Sequence, residues 1–229
     1  MKIRVLSLAL AVIAAAACST DTLSVKGEFF GVTSHGDSTM LYTMTNSSGA
    51  SVTVTDYGCK LVSVNVPDST GFIDDVIVGY GNIHDLEKGG ERFAGAVVGR
   101  FGNRIYPAEV EIDGQKYQLT VNERLGGGQG HIHGGKKGFD RFVWKGEPLV
   151  EKGRVGVRFH RLSPDGEQGF PGNMDAYVTY WLSDDNVVKI EYDAVTDRPT
   201  VVNLSNHTYF NLRGSKPSNV MEHLFQVEA

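Results

Sequence analysis

The sequence predicts an all-β domain, mostly antiparallel, and three observations carry that prediction. Short stretches of alternating apolar and polar residues recur at spacings of about 8–12 residues, the rhythm of a sandwich or a barrel. Glycine supplies 28 of the 229 residues, about 12% against a usual ~7%, which suits many tight turns between short strands. Convincing amphipathic helices are absent, and only residues 84–92 suggest a single turn.

Residues 1–18 lie outside the predicted domain. Lys2 and Arg4 give a basic start, and residues 5–17 form an apolar run too short for a comfortable membrane span. The run ends Ala15-Ala16-Ala17-Cys18-Ser19, with small residues leading directly into a cysteine. This stretch resembles a bacterial lipoprotein signal. That implies a lipid on Cys18 and a place in the cell envelope, periplasmic or surface-facing, with the membrane reached through the lipid only. Residues 19–27 read as a polar tether and residues 28–229 as the domain. Cys59 is the only other cysteine, so no intrachain disulfide is expected, and it reads as a small buried hydrophobe.

Within the domain, residues 39–45, 51–55 and 60–66 are the first strands, separated by turn signals at Ser47-Ser48-Gly49 and followed by Pro67-Asp68-Ser69-Thr70-Gly71. Another strand starts at 75–78. Residues 110–112 and 116–120 flank Asp113-Gly114, a strong hairpin signal. Residues 154–160, 176–182 and 187–194 continue the series. No repeat or low-complexity segment follows the tether, so a single domain is read. A formal net charge of -5 without a basic tract excludes nucleic acid as a partner.

Four stretches carry chemistry. Asn203-Leu204-Ser205-Asn206-His207-Thr208-Tyr209-Phe210-Asn211-Leu212 places one histidine among amides, hydroxyls and aromatic rings. Residues 201–204 alternate as a half-buried strand does, and polar side chains crowd its far end. Buried amides and hydroxyls need partners, which a many-hydroxyl ligand would supply. His207 is then a candidate acid or base; the plainer alternative is a core histidine at a strand end. In Gly99-Arg100-Phe101-Gly102-Asn103-Arg104-Ile105, one arginine reads as structural, bonding turn carbonyls. A fixed fork of donors beside an amide also suits sugar hydroxyls.

In Gly130-His131-Ile132-His133-Gly134-Gly135, two histidines at i and i+2 are expected on one face of a strand, as in some β-barrel metal sites. Lys136 and Lys137 follow where a metal would want a carboxylate, so no metal is expected. Gly134 and Gly135 would let the backbone approach a ligand closely. Ser163-Pro164-Asp165-Gly166-Glu167-Gln168-Gly169-Phe170-Pro171-Gly172 reads as a rigid loop of tight turns, in which nothing local singles out Glu167 as an acid or base.

These stretches, with Gly138-Phe139-Asp140 and the earlier Asp56-Tyr57-Gly58-Cys59-Lys60-Leu61-Val62-Ser63-Val64-Asn65-Val66-Pro67-Asp68, occur in the order seen in aldose 1-epimerases, the galactose mutarotases. The chain resembles that family from about residue 29 onward. The resemblance implies a large antiparallel β-sandwich, or supersandwich, and interconversion of the α and β anomers of free aldoses such as galactose and glucose in hexose metabolism. Such a reaction needs a base for the proton of the C1 hydroxyl and an acid for the ring oxygen. The ring opens, the aldehyde end rotates and the ring recloses on the other face. No cofactor or metal is required, and each proton-transfer group typically contributes about 10²- to 10⁴-fold.

By the same resemblance His207 is the acid, and His133 is a second pocket histidine that contacts the sugar. Asn103 and Arg104 are a sugar-binding pair, and Tyr209 belongs to a pocket-lining motif. Two departures touch the pocket: Gly102 stands where alanine is usual, and residues 123–132, with Gly126-Gly127-Gly128, differ from the usual short asparagine-rich approach. The chain ends Phe225-Gln226-Val227-Glu228-Ala229, where family members continue with a glutamate base and a sugar-binding aspartate. The expectation is therefore a truncated, incomplete sandwich without the base. The alternative function is a non-catalytic carbohydrate-binding envelope lipoprotein. A cupin-like metal protein, suggested by His131 and His133 alone, is a third reading that lacks the carboxylate.

Overall fold

The computed structural model describes residues 23–124, 126–215 and 219–228; the signal-like stretch and Cys18 lie outside the described residues. Strands β1 (Ser24–Val32), β2 (Ser38–Thr45), β3 (Ser51–Thr55), β4 (Leu61–Pro67) and β5 (Ile73–Asp75) form an antiparallel sheet in chain order. Tyr42 and Met44 of β2 and Val52 and Val54 of β3 are buried, the every-second-residue spacing that a pleat imposes. Leu61 and Val64 share that core although they are three apart, because the register shifts opposite Thr53 and Val54 and β4 carries one extra residue there.

The tether expected at 19–27 is corrected from Ser24 onward; residues 19–22 lie outside the described residues. Ser24 to Gly27 pair with Thr45 to Tyr42, so these residues belong to the sheet. Their polarity misled, because an edge strand is held by backbone bonds to its single neighbour and does not need a buried side-chain row.

Short pieces follow. They are β6 (Ile77–Val78), helix α1 (Ile83–Lys88), β7 (Val97–Val98), β8 (Arg104–Ile105), the hairpin β9 (Glu109–Ile112) and β10 (Gln115–Gln118), and β11 (His131–Ile132). Asn82 caps α1 by accepting from the Asp85 N–H at 2.9 Å. Asp113 and Gly114 take φ of 50° and 76°, the double positive φ of a two-residue hairpin turn.

Strands β12 (Lys145–Glu151), β13 (Arg154–Ser163), β14 (Met174–Ser183) and β15 (Val188–Thr196) form the second antiparallel sheet, with β12 at its edge. That edge position tolerates Pro148, which lacks a donor for a second neighbour. β16 (Ser205–Asn206) returns to pair with β7 and β17 (Tyr209–Phe210) with β6. The strand expected at 201–204 does not form. Pairing there is confined to an isolated bridge between Asn203 and Phe101.

The two larger sheets share one core, which makes the molecule the antiparallel β-sandwich that the sequence predicts. Val155, Val157 and Phe159 of β13, with Met174, Ala176, Val178, Tyr180 and Leu182 of β14, join the buried residues of β2, β3 and β4. Cys59 is buried among them, and burial pushes its thiol pKa well up. Among the described residues no helix is long and apolar enough to cross a membrane.

Phe159 meets Tyr42 and Tyr180 edge-on, with ring centroids 5.7 and 6.2 Å away. Phe159→Ala should therefore cost about 3–5 kcal/mol, through lost transfer energy and the cavity left behind. The readout is a lower urea midpoint at unchanged slope. A loss below about 1 kcal/mol would show that the sheets do not depend on this contact.

Candidate active site

The end of β7 and the residues after it lie against the β16 segment. Val98 pairs with Ser205 and Val97 with Asn206. Farther along, Asn203 N–H donates to Arg100 O at 2.9 Å, and Gly102 N–H donates to Asn203 O at 2.7 Å. The Asn203 side chain donates to Gly102 O at 3.0 Å. The His207 backbone is fixed on both sides, donating to Ala96 O at 2.8 Å and accepting from Gly95 N–H at 3.1 Å. The Asn206 amide donates to Gly95 O and the Tyr180 hydroxyl at 2.9 and 3.0 Å. Tyr180 in turn donates to Cys59 O at 2.7 Å. The polar crowd around His207 is thus satisfied largely by backbone and core.

Arg100 is the structural arginine expected in its stretch, and it is 2% exposed. Its Nε donates to Ser163 Oγ at 2.8 Å and its Nη1 to Pro171 O at 2.9 Å. Its Nη2 donates to the carbonyls of Ser163, Pro164 and Gly172 at 2.8–2.9 Å. This ties residues 163–172, where Gly166, Gln168, Gly169 and Gly172 all have positive φ, to the segment that follows β7 and leads to Asn103. Glu167 is engaged in the same anchorage, accepting from Arg161 at 2.7 and 2.9 Å and from the Ser163 hydroxyl.

His133 and Asn103 face each other from two left-handed turns, with φ of 49° and 67°. Asn103 N–H donates to His133 Nδ1 at 3.0 Å, and His133 N–H donates to Asn103 O at 3.1 Å. Because Nδ1 accepts, the proton of the neutral ring is assigned to Nε2. Burial, then the neighbouring His207 and Arg104 charges, holds the His133 pKa below the ordinary histidine value. The His133 and His207 rings meet edge-on at 5.1 Å. Phe93 packs against both, at 4.8 and 5.8 Å. A cavity of about 460 Å³ opens between Asn103, His133, Asn203, Ser205, Asn206 and His207. Its size and its convergent amides, hydroxyl and imidazoles suit a monosaccharide.

Three of the residues singled out by sequence, Asn103, His133 and His207, line that cavity. Arg104 stands beside it, exposed, with Nε 2.8 Å from Glu123 Oε2 and Nη1 3.3 Å from Asn103 Oδ1. Its fork therefore orients the amide. Tyr209 packs its ring 5.1 Å from that of His207.

One expectation is corrected. His131 and His133 do not share a strand face, because β11 ends at Ile132 and the positive φ of His133 turns the chain. His131 is fully buried, with Nδ1 2.9 Å from Thr120 O and its ring edge-on to Phe170 at 5.1 Å. The close approach that the structure shows at Gly134 is to the chain itself: a Cβ there would collide with the Gly99 carbonyl. Phe93 is the site residue the sequence reading missed. It lies outside the regular elements, and its only mark is the neighbouring Arg92, whose guanidinium lies 4.7 Å from the ring.

Fold and cleft together define a β-sandwich protein with a paired-histidine pocket of sugar size. The family model for aldose 1-epimerase matches residues 40–229. Galactose mutarotase of Sus scrofa is 36% identical over 208 residues, covering 90% of this chain and 58% of that protein. Aldose 1-epimerase of Escherichia coli is 38% identical over 189 residues, covering 82% of this chain and 52% of that protein. The crystal structure of galactose 1-epimerase from Lactobacillus acidophilus NCFM superposes with a TM-score of 0.73 at 29% identity, over 83% of this chain and 54% of that one. The chain belongs to the aldose 1-epimerase family. It spans about half the length of the curated relatives it matches.

Burial lowers the pKa of both His131 and His133 from 6.5. Below that value the unfolded chain takes up protons that the folded chain refuses. Their effect is therefore nil well above pH 6.5 and destabilising as pH falls through it. The urea midpoint should drop less steeply on acidification in His131→Gln than in the parent; an identical slope would show that His131 carries no such penalty.

Proposed function

We propose that the protein carrying this chain interconverts the α and β anomers of a free aldose, with galactose and glucose as the first substrates to try. The observation that carries this reading is the edge-on pair of His133 and His207 in a sugar-sized cavity of a chain in the aldose 1-epimerase family. Galactose appears in the names of the pig and Lactobacillus relatives. In this reading His207 gives a proton to the ring oxygen as the bond between C1 and that oxygen breaks. His133, with its proton on Nε2, donates a hydrogen bond to a sugar oxygen. Asn103, oriented by Arg104, binds hydroxyls, and Tyr209 supports the His207 ring. No cofactor enters. A base must still take the proton of the C1 hydroxyl.

A second reading, carbohydrate binding without turnover, rests on one observation: among the described residues no carboxylate lines the cavity. Polarimetry on fresh α-galactose separates the two. Under the first, a rate above the buffer blank falls about 10²- to 10⁴-fold in His207→Ala, and His133→Ala raises KM as well as lowering kcat. Saturable galactose binding with only the blank rate would establish the second. Near-parent turnover in His207→Ala would remove that residue from the mechanism.

We also place the protein in the bacterial cell envelope, held by a lipid on Cys18, which rests on the character of residues 2–18 alone. One saturated chain anchors only marginally, so a second acyl group is implied. Cys18→Ser should move the protein from the membrane to the soluble fraction, and full retention on membranes would sink the anchor.

A further inference from the structure

The loop that carries His133 runs on through Gly134 and Gly135 to Lys136 and Lys137, and these two lysines line a second cavity of about 390 Å³. Lys88 and Arg141 bring its permanent cations to four, with Tyr57, Ser34 and Glu87 beside them. On a chain with a formal net charge of -5 this is a local reversal of sign. Glu87, the one carboxylate of the lining, is already engaged, accepting from the Ser34 N–H at 2.8 Å and its hydroxyl at 2.9 Å.

The acid nearest Arg141 is engaged as well. Asp140 gives both oxygens to Arg92, at 2.6 and 2.8 Å, and stands 3.8 Å from Arg141 Nε. That Nε is buried and has no hydrogen-bond partner. Among the described residues no carboxylate pairs with the ammonium groups of Lys88, Lys136 or Lys137, and Lys137 lies 4.7 Å over the Phe142 ring. Tyr57 adds a neutral donor: burial, then the Glu87 charge, pushes its phenol up to about 12.

Lysines spread over a convex face are simply hydrated. Here they converge on a concave volume, with the part-exposed Arg141 guanidinium in its wall. We propose that this cavity is an anion site that takes a phosphate group, free or as the phosphomonoester of a small molecule. Phosphate supplies about 1.5–2 negative charges and several acceptor oxygens at neutral pH. A guanidinium edge with lysine point charges around it is the donor set such a group needs. The concavity favours a small ligand over an extended anionic surface.

Calorimetric titration of the protein with inorganic phosphate at low salt tests this, with glucose 6-phosphate and anionic phospholipid vesicles run in parallel. Saturable binding should weaken as salt is raised. It should fall about tenfold or more in Lys136→Ala/Lys137→Ala with the melting temperature unchanged. Arg141→Lys, which keeps the charge and loses the planar fork of donors, should also weaken binding. His207→Ala should leave it unchanged, which separates this site from the histidine cleft and from the fate of the epimerase reading. Tighter binding of glucose 6-phosphate assigns the phosphomonoester form, and equal binding assigns free phosphate. The proposal is overturned by absence of saturable phosphate binding, by parent-like affinity in the double variant, by loss of binding in His207→Ala, or by capture on vesicles without binding of either soluble phosphate.

Discussion

A single buried guanidinium underlies the cleft. Removing a cation from water still costs several kcal/mol after relaxation. Arg100 is held without a carboxylate in direct contact among the described residues, by four carbonyls and by the hydroxyls of Ser163 and Thr200. Only a planar fork of donors can reach that set at once, and a lysine could not. The consequence is positional. Arg100 O accepts from Asn203, and Asn203 O accepts from Gly102, so the loop 163–172, the residues after β7 and the segment leading to His207 are one hydrogen-bonded unit. A site that must place donors to within a fraction of an ångström gains from being built on backbone fixed this way.

The same architecture explains what could be read in the chain. The strands found by alternation, such as 39–45, 51–55, 154–160 and 176–182, contribute buried rows to the shared core, and one buried face is what alternation records. The Asp113-Gly114 turn was legible because its backbone conformation selects its residues. β1 and β12 were not, because each is an edge strand, largely exposed, defined by a partner along one side only. β7 and β16 are two residues each, and their pairing joins Val98 to Ser205; no local signal can report a contact over that separation.

The site was legible through its residue types and less so through their arrangement. Asn103, His133 and His207 stood out, but the sequence could not show that His131 and His133 part company. That outcome hangs on the sign of one backbone angle at His133. Phe93, which packs on both cleft histidines, belongs to no periodic pattern and became visible only in space.

The two cleft histidines are not equivalent, and the difference lies in the backbone. His133 Nδ1 receives the Asn103 N–H at 3.0 Å. A proton on that nitrogen would set one N–H against another and destroy the bond that orients the ring. Burial and the adjacent His207 ring, 5.1 Å away, act in the same direction, since two like charges at that distance in a partly dry cleft repel strongly. His133 is therefore held neutral, with a fixed donor at Nε2, which suits recognition of a hydroxyl. The ring nitrogens of His207 carry no protein hydrogen bond among the described residues, although its backbone is clamped to Ala96 and Gly95. Its imidazole is thus fixed in place by stacking on Phe93 and by tilted packing against Tyr209 while its nitrogens stay open to a ligand. In the proposed reaction this division assigns binding to the ring whose nitrogen is tied down, and proton donation to the ring whose nitrogens are not.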